Sequence, residues 1–240
     1  MMALKFRGIT KSFQQNQVLK HVNLEIPSGS IFFLMGINGA GKTTLLKIAT
    51  GLIASDRGEV KCRFPKSEIA AVFEGTNLID NLSAYENLKY YSLVMGNNST
   101  TGIEGKIAWV GLDITNKKPI KTYSIGMKKR LLIACALLKN SQLLILDEPF
   151  NGLDPVAIAE MKRLIGALSK AGMTIILSSH LIKETEDVAT HYGILHQGEL
   201  LRCFYKKEGH ILDEGGRQIQ RDIYQEFLDT VDYIPVEVPS

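Results

Sequence analysis

The feature that most limits the fold is a glycine-rich octapeptide, Gly36–Thr43, set between two apolar segments. It reads Gly-Ile-Asn-Gly-Ala-Gly-Lys-Thr and matches the phosphate-binding pattern G-x-x-x-x-G-K-S/T. Residues 31–35 before it are all apolar, and residues 44–52 after it have the pattern of an apolar helix. This pattern binds phosphate when it joins a buried strand to a helix. The chain is therefore predicted to be an α/β protein with a P-loop.

Two further apolar runs end in polar residues. Residues 143–146 end at the Asp-Glu pair 147–148, and residues 174–177 end at the Ser-Ser-His segment 178–180. Strands that lack an alternation of apolar and polar residues are typical of parallel sheets buried on both faces. Functional residues gather at the carboxyl ends of such strands. The sequence therefore predicts a RecA-like parallel sheet core whose polar strand ends lie beside the P-loop.

The N-terminal part has a different pattern, that of antiparallel strands. Residues 4–12 and 22–26 are separated by the polar turn 14–17, which favours a hairpin. Residues 58–73 add two more strand-like runs, the second at 69–73. We therefore expect a small N-terminal antiparallel β-subdomain beside the main sheet.

Residues 76–139 contain no run that resembles a buried strand. Apolar residues recur at approximately helical spacing between 85 and 93, and residues 99–105 have the composition of a polar loop. This segment is predicted to be an inserted helical subdomain. The core and the β-subdomain then take up residues 1–75 and 140–208, which makes 1–208 one domain.

From residue 209 onward the chain is acidic, with seven acidic and two basic residues. We expect this tail, 209–240, to be helical because six of its apolar residues lie on one helical face. We interpret that face as packing on the chain's own core rather than on a partner. These six residues are Ile219, Ile223, Tyr224, Phe227, Leu228 and Val231.

The composition excludes several classes of protein. There are 28 Lys+Arg against 25 Asp+Glu, which lacks the basic excess of a nucleic-acid-binding protein. The longest apolar run, 131–138, is far shorter than the roughly 20 residues of a membrane helix, and the N-terminus has no signal-peptide core. Three widely spaced cysteines favour a reducing compartment. We expect a cytoplasmic protein that acts at a membrane only through another subunit.

The P-loop pattern assigns chemical roles to its residues. Lys42 is expected to reach the β- and γ-phosphates of a nucleotide, and the Thr43 hydroxyl is expected to ligate Mg²⁺. Asp147 can hold the same ion through water, and Glu148 is placed to accept a proton from an attacking water. The predicted nucleotide-binding residues of the loop are Gly36, Asn38, Gly39, Ala40, Gly41, Lys42, Thr43 and Thr44.

Further motifs occur in the order of one protein family. Residues 123–128 read Tyr-Ser-Ile-Gly-Met-Lys, and residues 151–155 read Asn-Gly-Leu-Asp-Pro. With the P-loop, these motifs make most of the chain resemble the ATPase subunits of ABC transporters. The resemblance implies that 123–128 is the signature motif and that 151–155 is the D-loop, which contains Asp154. It also implies that His180 is the switch histidine and that Phe13 stacks on adenine.

The resemblance implies that a second subunit completes each site. In the family, the signature helix faces the γ-phosphate bound by the opposite subunit. Ser124 can cap that helix, and its hydroxyl, the Gly126 N–H and the helix dipole can act as an arginine finger does elsewhere. We therefore expect a homodimer, or a heterodimer with a related ATPase subunit, that closes around two ATP–Mg²⁺.

Three positions depart from the family pattern. The family usually has Gly at the position of Ile125, Gln or Glu at Met127, and at Glu74 a Gln that contacts Mg²⁺ and the attacking water. Glutamate keeps an oxygen ligand but adds negative charge. Together with residues 81–88, these features resemble ATPases of exporters that protect bacteria against lantibiotics and related peptide antibiotics. The predicted catalytic residues are Lys42, Glu74, Glu148 and His180, and the predicted metal ligands are Thr43, Glu74 and Asp147.

The predicted function is ATP hydrolysis that drives polytopic membrane permease subunits from the inner face of the cell membrane. A GTPase would need Asn-Lys-x-Asp, and residues 116–119 lack the aspartate. A translation factor of this family would carry two cassettes, and a chromosome-structure ATPase would need a long coiled coil between Lys42 and Ser124. The remaining alternative is a non-transport, ATP-dependent dimerisation module of a soluble complex.

Overall fold

Strands and α-helices alternate along the chain in a computed structural model that describes residues 1–96, 101–185 and 187–231. The strands are β1 Met2–Phe13, β2 Asn16–Pro27, β3 Ile31–Met35, β4 Arg57–Cys62, β5 Ile69–Val72, β6 Leu143–Asp147, β7 Thr174–Ser179, β8 His191–His196, β9 Glu199–Lys207, β10 His210–Asp213 and β11 Gln218–Ile219. The helices are α1 Lys42–Thr50, α2 Ala84–Val94, α3 Ile103–Trp109, α4 Ile125–Ala136, α5 Pro155–Lys170, α6 Ile182–Thr185 and α7 Ile223–Thr230.

The larger sheet has the strand order β11-β10-β9-β8-β3-β7-β6-β5. Strands β8, β3, β7, β6 and β5 are parallel, and β9, β10 and β11 extend the sheet as antiparallel strands. Asp147 pairs with Ser178, and Met35 pairs with Ser179. The carboxyl ends of β3, β6 and β7 therefore meet at one edge of the sheet. The predicted α/β fold with a parallel P-loop core is confirmed.

The two faces of the central strands pack into two different cores. On one face, Phe33 and Leu144 belong to a cluster with residues of α3, α4 and α5. On the other face, Phe32 and Ile145 belong to a cluster with residues of α1, β1 and β2. Every residue of β3, β6 and β7 is buried, which explains the apolar runs 31–35, 143–146 and 175–177 within these strands.

The smaller sheet has the order β2-β1-β4 and is antiparallel. The prediction that 69–73 belongs to it was wrong. Ile69–Val72 forms β5, which pairs in parallel with β6 in the main sheet. The sequence Ile-Ala-Ala-Val has no alternating charges, in contrast to the Arg-Gly-Glu-Val-Lys-Cys of β4, and it fits a largely buried parallel strand. The consequence is that Glu74 follows a strand end next to β6.

Helices α2, α3 and α4 lie between β5 and β6 in the sequence. Helix α2 starts with a capping box, in which Ser83 and Glu86 bond reciprocally to each other's backbone N–H groups. Of the polar loop predicted at 99–105, residues 99 and 100 lie outside the described residues, and Ile103 already begins α3 because it is buried with Ile107. Among the helices that the structure describes, none has the length and apolar character needed to span a bilayer.

The segment predicted as a helical tail begins with strands. Strand β10 forms a hairpin with β9, and β11 adds to β10, so the sheet continues across residue 208. Helix α7 follows, and its apolar face packs on the chain's own core as expected, with Ile223 and Phe227 buried. Arg202 of β9 pairs with Glu226 of α7. Residues 232–240 lie outside the described residues.

Candidate nucleotide-binding and catalytic site

Two glycines of the P-loop lie where neighbouring atoms come too close to leave room for a side chain. A Cβ on Gly36 would lie 2.5 Å from the Leu195 carbonyl oxygen, and a Cβ on Gly41 would lie 2.8 Å from a Leu19 methyl carbon. Gly41 also has a φ of +103°, a conformation that favours glycine. Helix α1 then starts at Lys42 without a side-chain cap or an acidic residue in its first turn. Its first N–H groups are therefore available to an anion.

The Lys42 ammonium lies within its own loop. Its Nζ donates to the carbonyl oxygens of Gly36 at 2.7 Å and Ile37 at 3.3 Å. It also lies 3.2 Å from Glu148 Oε1, an oxygen that has an ion-pair contact but no well-directed hydrogen bond. Both side chains are almost fully buried. This arrangement fits phosphate binding, because phosphate oxygens can replace loop carbonyls as acceptors for Lys42.

Thr43, Asp147 and Ser178 form a second chain of contacts at the strand ends. Thr43 Oγ1 donates to Asp147 Oδ2 at 2.8 Å, and Ser178 Oγ donates to Asp147 Oδ1 at 2.6 Å. A hydroxyl and a carboxylate are the hard oxygen ligands that Mg²⁺ prefers. The donor set therefore fits the predicted ion. Ser178 was missed as a site residue, although a serine at the end of an apolar strand was a visible signal.

Glu148 is held from several elements at once. Its N–H donates to the Ser178 carbonyl and lies 3.1 Å from the Ser178 hydroxyl. Its Oε2 lies 2.9 Å from His180 Nδ1 and 3.3 Å from the His180 backbone N. The backbone of Glu148 has a φ of +49°, which is uncommon for a residue other than glycine. The structure therefore places five of the predicted site residues together: Lys42, Thr43, Asp147, Glu148 and His180.

Glu74 lies across a small cavity from this group. Its Oε1 accepts a hydrogen bond from Asn151 Nδ2 at 3.2 Å. A cavity of about 180 Å³ is lined by Glu74, Asn151, Lys129, Asp147 and Glu148, together with apolar side chains. The predicted metal ligand Glu74 therefore shares a cavity with Asp147, but its hydrogen bond is to Asn151.

Lys129 of α4 reaches into the same cavity. Its Nζ donates to the backbone carbonyl oxygen of Glu148 at 2.9 Å. Burial lowers the pKa of Lys129, and the carboxylates of Glu74 and Glu148 oppose that shift. Asn151 was predicted only as part of the D-loop motif, and Lys129 was not predicted as a site residue. Their hydrogen-bond partners, Glu74 and Glu148, lie 77 and 19 positions away in the sequence, so no local pattern points to these contacts.

The signature residues lie at the start of α4. Ser124 caps the helix, and its Oγ accepts from the Met127 N–H at 3.2 Å. Gly126 is packed so closely that a Cβ would lie 2.8 Å from Ala157 Cβ of α5. Asp154 caps α5 by accepting from the Ala157 N–H at 2.8 Å. Within the described residues, neither Ser124 nor Gly126 has a hydrogen bond to the P-loop.

Phe13 ends β1 and is half exposed, with 48% of its surface accessible. The Lys11 ammonium lies 5.4 Å from the centre of its ring. Its partner across the hairpin is Asn16, which lines an open groove of about 400 Å³ together with Gly39 of the P-loop. An exposed aromatic ring at this end of the loop is available for stacking on a base.

A parallel sheet, a P-loop at the end of β3 and an Asp-Glu pair at the end of β6 define a P-loop nucleoside triphosphatase. The chain belongs to a particular family of this class: residues 19–151 match the family model described as "ABC transporter". It is an ATP-binding and ATP-hydrolysing subunit of such a transporter. The family and the activity predicted from the sequence are confirmed, and the comparisons do not favour a soluble non-transport module.

One similar protein is the lantibiotic transport ATP-binding protein SrtF of Streptococcus pyogenes. It is 39% identical over 204 residues, which cover 82% of this chain and 89% of SrtF. The bacitracin transport ATP-binding protein BcrA of Bacillus licheniformis is 39% identical over 208 residues, with 82% of this chain and 68% of BcrA covered.

Solved structures with the same fold are also ATP-binding cassettes. The structure of MJ1267 in its ADP conformation has a TM-score of 0.78 at 19% identity. The match covers 87% of this chain and 93% of the MJ1267 chain. The cassette MJ0796, a dimer in a post-hydrolysis state with ADP and Pi, has a TM-score of 0.74 at 25% identity, with coverage of 85% and 99%.

Proposed function

We propose that this chain is the ATPase of an exporter for a peptide antibiotic of the lantibiotic or bacitracin class. By removing the antibiotic, the exporter protects the cell that contains it against that antibiotic. The observation that carries the proposal is the 39% identity over 89% of a lantibiotic transport ATP-binding protein. The bacitracin transport protein BcrA, at 39% identity, supports the same class of substrate. The linearmycin resistance protein LnrL, at 33% identity, supports a role in antibiotic resistance. Glu74, in place of the usual glutamine, agrees with the same group.

The working unit in this proposal is a dimer with two nucleotide sites. Each site takes Gly36–Thr44, Asp147 and Glu148 from one chain, and Ser124 with Gly126 from the other. Ser124 and Ile125, at the start of α4, are exposed. This exposure supports the arrangement, because Ser124 and Gly126 have no hydrogen bond to their own P-loop within the described residues. The second chain is this polypeptide or a related ATPase subunit, since all half-site motifs occur here.

The residues divide the work of ATP hydrolysis between them. Lys42 and the N–H groups at the start of α1 hold the phosphates, and Phe13 stacks on adenine. Thr43 and Asp147, with Glu74 in the same cavity as Asp147, would hold Mg²⁺, which would neutralise phosphate charge. Glu148 accepts a proton from the attacking water. His180, which lies 2.9 Å from Glu148 Oε2, orients that carboxylate or contacts the γ-phosphate.

We further propose that the dimer lies on the inner face of the cell membrane and drives polytopic permease subunits. ATP favours the closed dimer, and loss of the γ-phosphate weakens it, so the binding energy moves the permease. The groove near Glu74, between β5 and the helical segment, receives a cytoplasmic helix of that permease.

The test uses full-length Glu148→Gln protein with an affinity tag, expressed in its own cells and solubilised from membranes with ATP and magnesium. We expect an ATP-dependent dimer that carries polytopic subunits with it. The matched control adds Lys42→Ala, which removes the phosphate contact and should abolish dimerisation. A strictly monomeric Glu148→Gln protein would contradict the dimer, and capture of soluble partners alone would favour the non-transport module.

The substrate class is tested in cells that express the chain with the permease it binds. Tolerance to a lantibiotic and to bacitracin should rise, and Lys42→Ala should remove the effect. Unchanged tolerance to both antibiotics, with intact ATP hydrolysis, would exclude this substrate class and leave the ATPase assignment in place.

A further inference from the structure

Lys129 is a residue of α4, the helix that begins at the signature motif, and its ammonium group contacts the backbone of Glu148 in the same chain. It lies five residues after the Ser124 cap of α4, and it is half-buried and lines the cavity of about 180 Å³. Much of that cavity is apolar, with Leu132, Ile133 and Met161 among its walls. A lysine in such a place has to find acceptors for its ammonium group.

The acceptor that Lys129 finds is the backbone carbonyl of Glu148, at 2.9 Å. Glu148 has a φ of +49°, a conformation that persists in non-glycine residues when the surroundings impose it. Ser178 accepts from the N–H of Glu148, and the carbonyl oxygen of Glu148 accepts from Lys129 and, at 3.3 Å, from the Asn151 N–H. These bonds fix the backbone from which the Glu148 side chain extends to its contacts with Lys42 and His180.

The acidic groups that face Lys129 are also informative. Glu74 and Glu148 both act on its charge, and Asp147 lines the same cavity. Both Asp147 oxygens already accept hydrogen bonds, from Thr43 and Ser178. Glu74 has an amide partner in Asn151, which carries no charge. Lys129 is therefore the cation that faces Glu74 from α4.

We propose that Lys129 is a positioning residue: it holds the backbone turn of Glu148 and offsets the charge of Glu74. The proposal rests on the role of Glu148 as general base in the proposed function. It explains how a carboxylate can stand at position 74 beside Asp147 and Glu148. It also links the helix that carries Ser124 and Gly126 to the general base of the same chain.

The test compares Lys129→Met with Lys129→Arg and Lys162→Met in the full-length protein. Methionine keeps the length of the stem and suits the apolar walls, and arginine restores the charge. Lys162 is the matched control because it is also a helical lysine, on α5, and its ammonium group pairs with a carboxylate, that of Asp187, away from the cavity. ATP hydrolysis is measured with magnesium, nucleotide affinity by titration with a fluorescent ATP analogue, and folding by thermal unfolding.

We expect Lys129→Met to lower kcat about tenfold, the effect of losing one charge-assisted hydrogen bond. Nucleotide affinity should change less than about twofold, since Lys129 does not line the P-loop. Lys129→Arg should recover most of kcat, and Lys162→Met should equal the parent. An unchanged kcat in folded Lys129→Met would overturn the proposal. If that variant does not fold, Lys129→Gln takes its place and is judged by the same criterion.

A double-mutant cycle tests the charge partner. In a Glu74→Gln background, Lys129→Met should cost only about threefold in kcat, because the charge to be offset is gone. An equal loss in both backgrounds would refute the pairing with Glu74. Glu148→Gln separates the two proposals: if it hydrolyses ATP like the parent, the proposed function fails. If it is inactive while Lys129→Met is fully active, only the role of Lys129 fails.

Discussion

Replacement of Gly126 by alanine tests how tightly the signature motif is held. The added Cβ would lie 2.8 Å from Ala157 Cβ, whereas carbon atoms in good contact are about 3.5–4.0 Å apart. Helices α4 and α5 would have to separate at their N-terminal ends, which we put at about 1–3 kcal/mol. Alanine gains at most about 1 kcal/mol of helix propensity. With the full propensity gain, the net expected loss is about 0–2 kcal/mol of unfolding free energy, or about 0–8 °C in Tm.

The assay is thermal and urea unfolding of the full-length protein, with Gly166→Ala as the matched control. Gly166 also lies in a helix, but a Cβ there would meet nothing within 4 Å. That variant should therefore gain about 0.5–1 kcal/mol. Adding Ala157→Gly to Gly126→Ala should recover part of the loss, because the clashing methyl is removed. If Gly126→Ala stabilised the protein as much as Gly166→Ala, the inference of close packing would be wrong.

Three further predictions concern other parts of the chain. Glu74→Gln should leave ATP affinity within about twofold but change the rate of hydrolysis or its coupling to transport, which reconstituted complexes would measure; no change in either would contradict a role for Glu74. Ser178→Ala should lower the free energy of unfolding by about 1.5–3 kcal/mol in urea titrations, because Asp147 loses a buried hydrogen bond to its charge. Burial raises the pKa of Cys135 and of Cys203 to about 12, so both thiols should resist iodoacetamide at pH 8 until the protein unfolds. Fast modification of the native protein would show that they are more accessible.

Local patterns were sufficient for the parts of the fold in which sequence and packing agree. The strands β3, β6 and β7 could be predicted because each contains a continuous apolar run next to a recognisable motif, which for β3 is the P-loop. Strand β5 was assigned to the wrong sheet, because its partner β6 lies some seventy residues further on and no local pattern encodes that pairing. The strands β10 and β11 were missed for a similar reason. The acidic composition of residues 209–240 set this segment apart as a tail, but the pairing of β10 with β9 and of β11 with β10 determines its structure.

The residues of the site also fall into two groups, those that a local motif predicts and those that depend on contacts between distant segments. Lys42, Asp147 and Glu148 stand in motifs whose spacing encodes their roles. The hydrogen bonds from Ser178 to Asp147 and from Lys129 to Glu148 join residues 31 and 19 positions apart. Such contacts depend on how β7 and α4 are placed against β6. The sequence therefore predicts which groups do the chemistry, and the structure shows which groups hold them in place.

The contacts of Lys42 and Glu148 suggest how nucleotide binding and catalytic readiness are connected. Lys42 Nζ lies 3.2 Å from Glu148 Oε1, so a buried cation and a buried general base satisfy part of each other's charge. A phosphate that binds at the start of α1 competes for Lys42, because phosphate oxygens are stronger acceptors than the loop carbonyls it contacts. In the proposed mechanism, Glu148 Oε1 loses its contact with Lys42 when the lysine turns to the phosphate, and it is then free to accept a proton from water. The other oxygen, Oε2, contacts His180, so the carboxylate keeps its place. The lysine that binds the phosphate thus frees the carboxylate that accepts the proton of the attacking water.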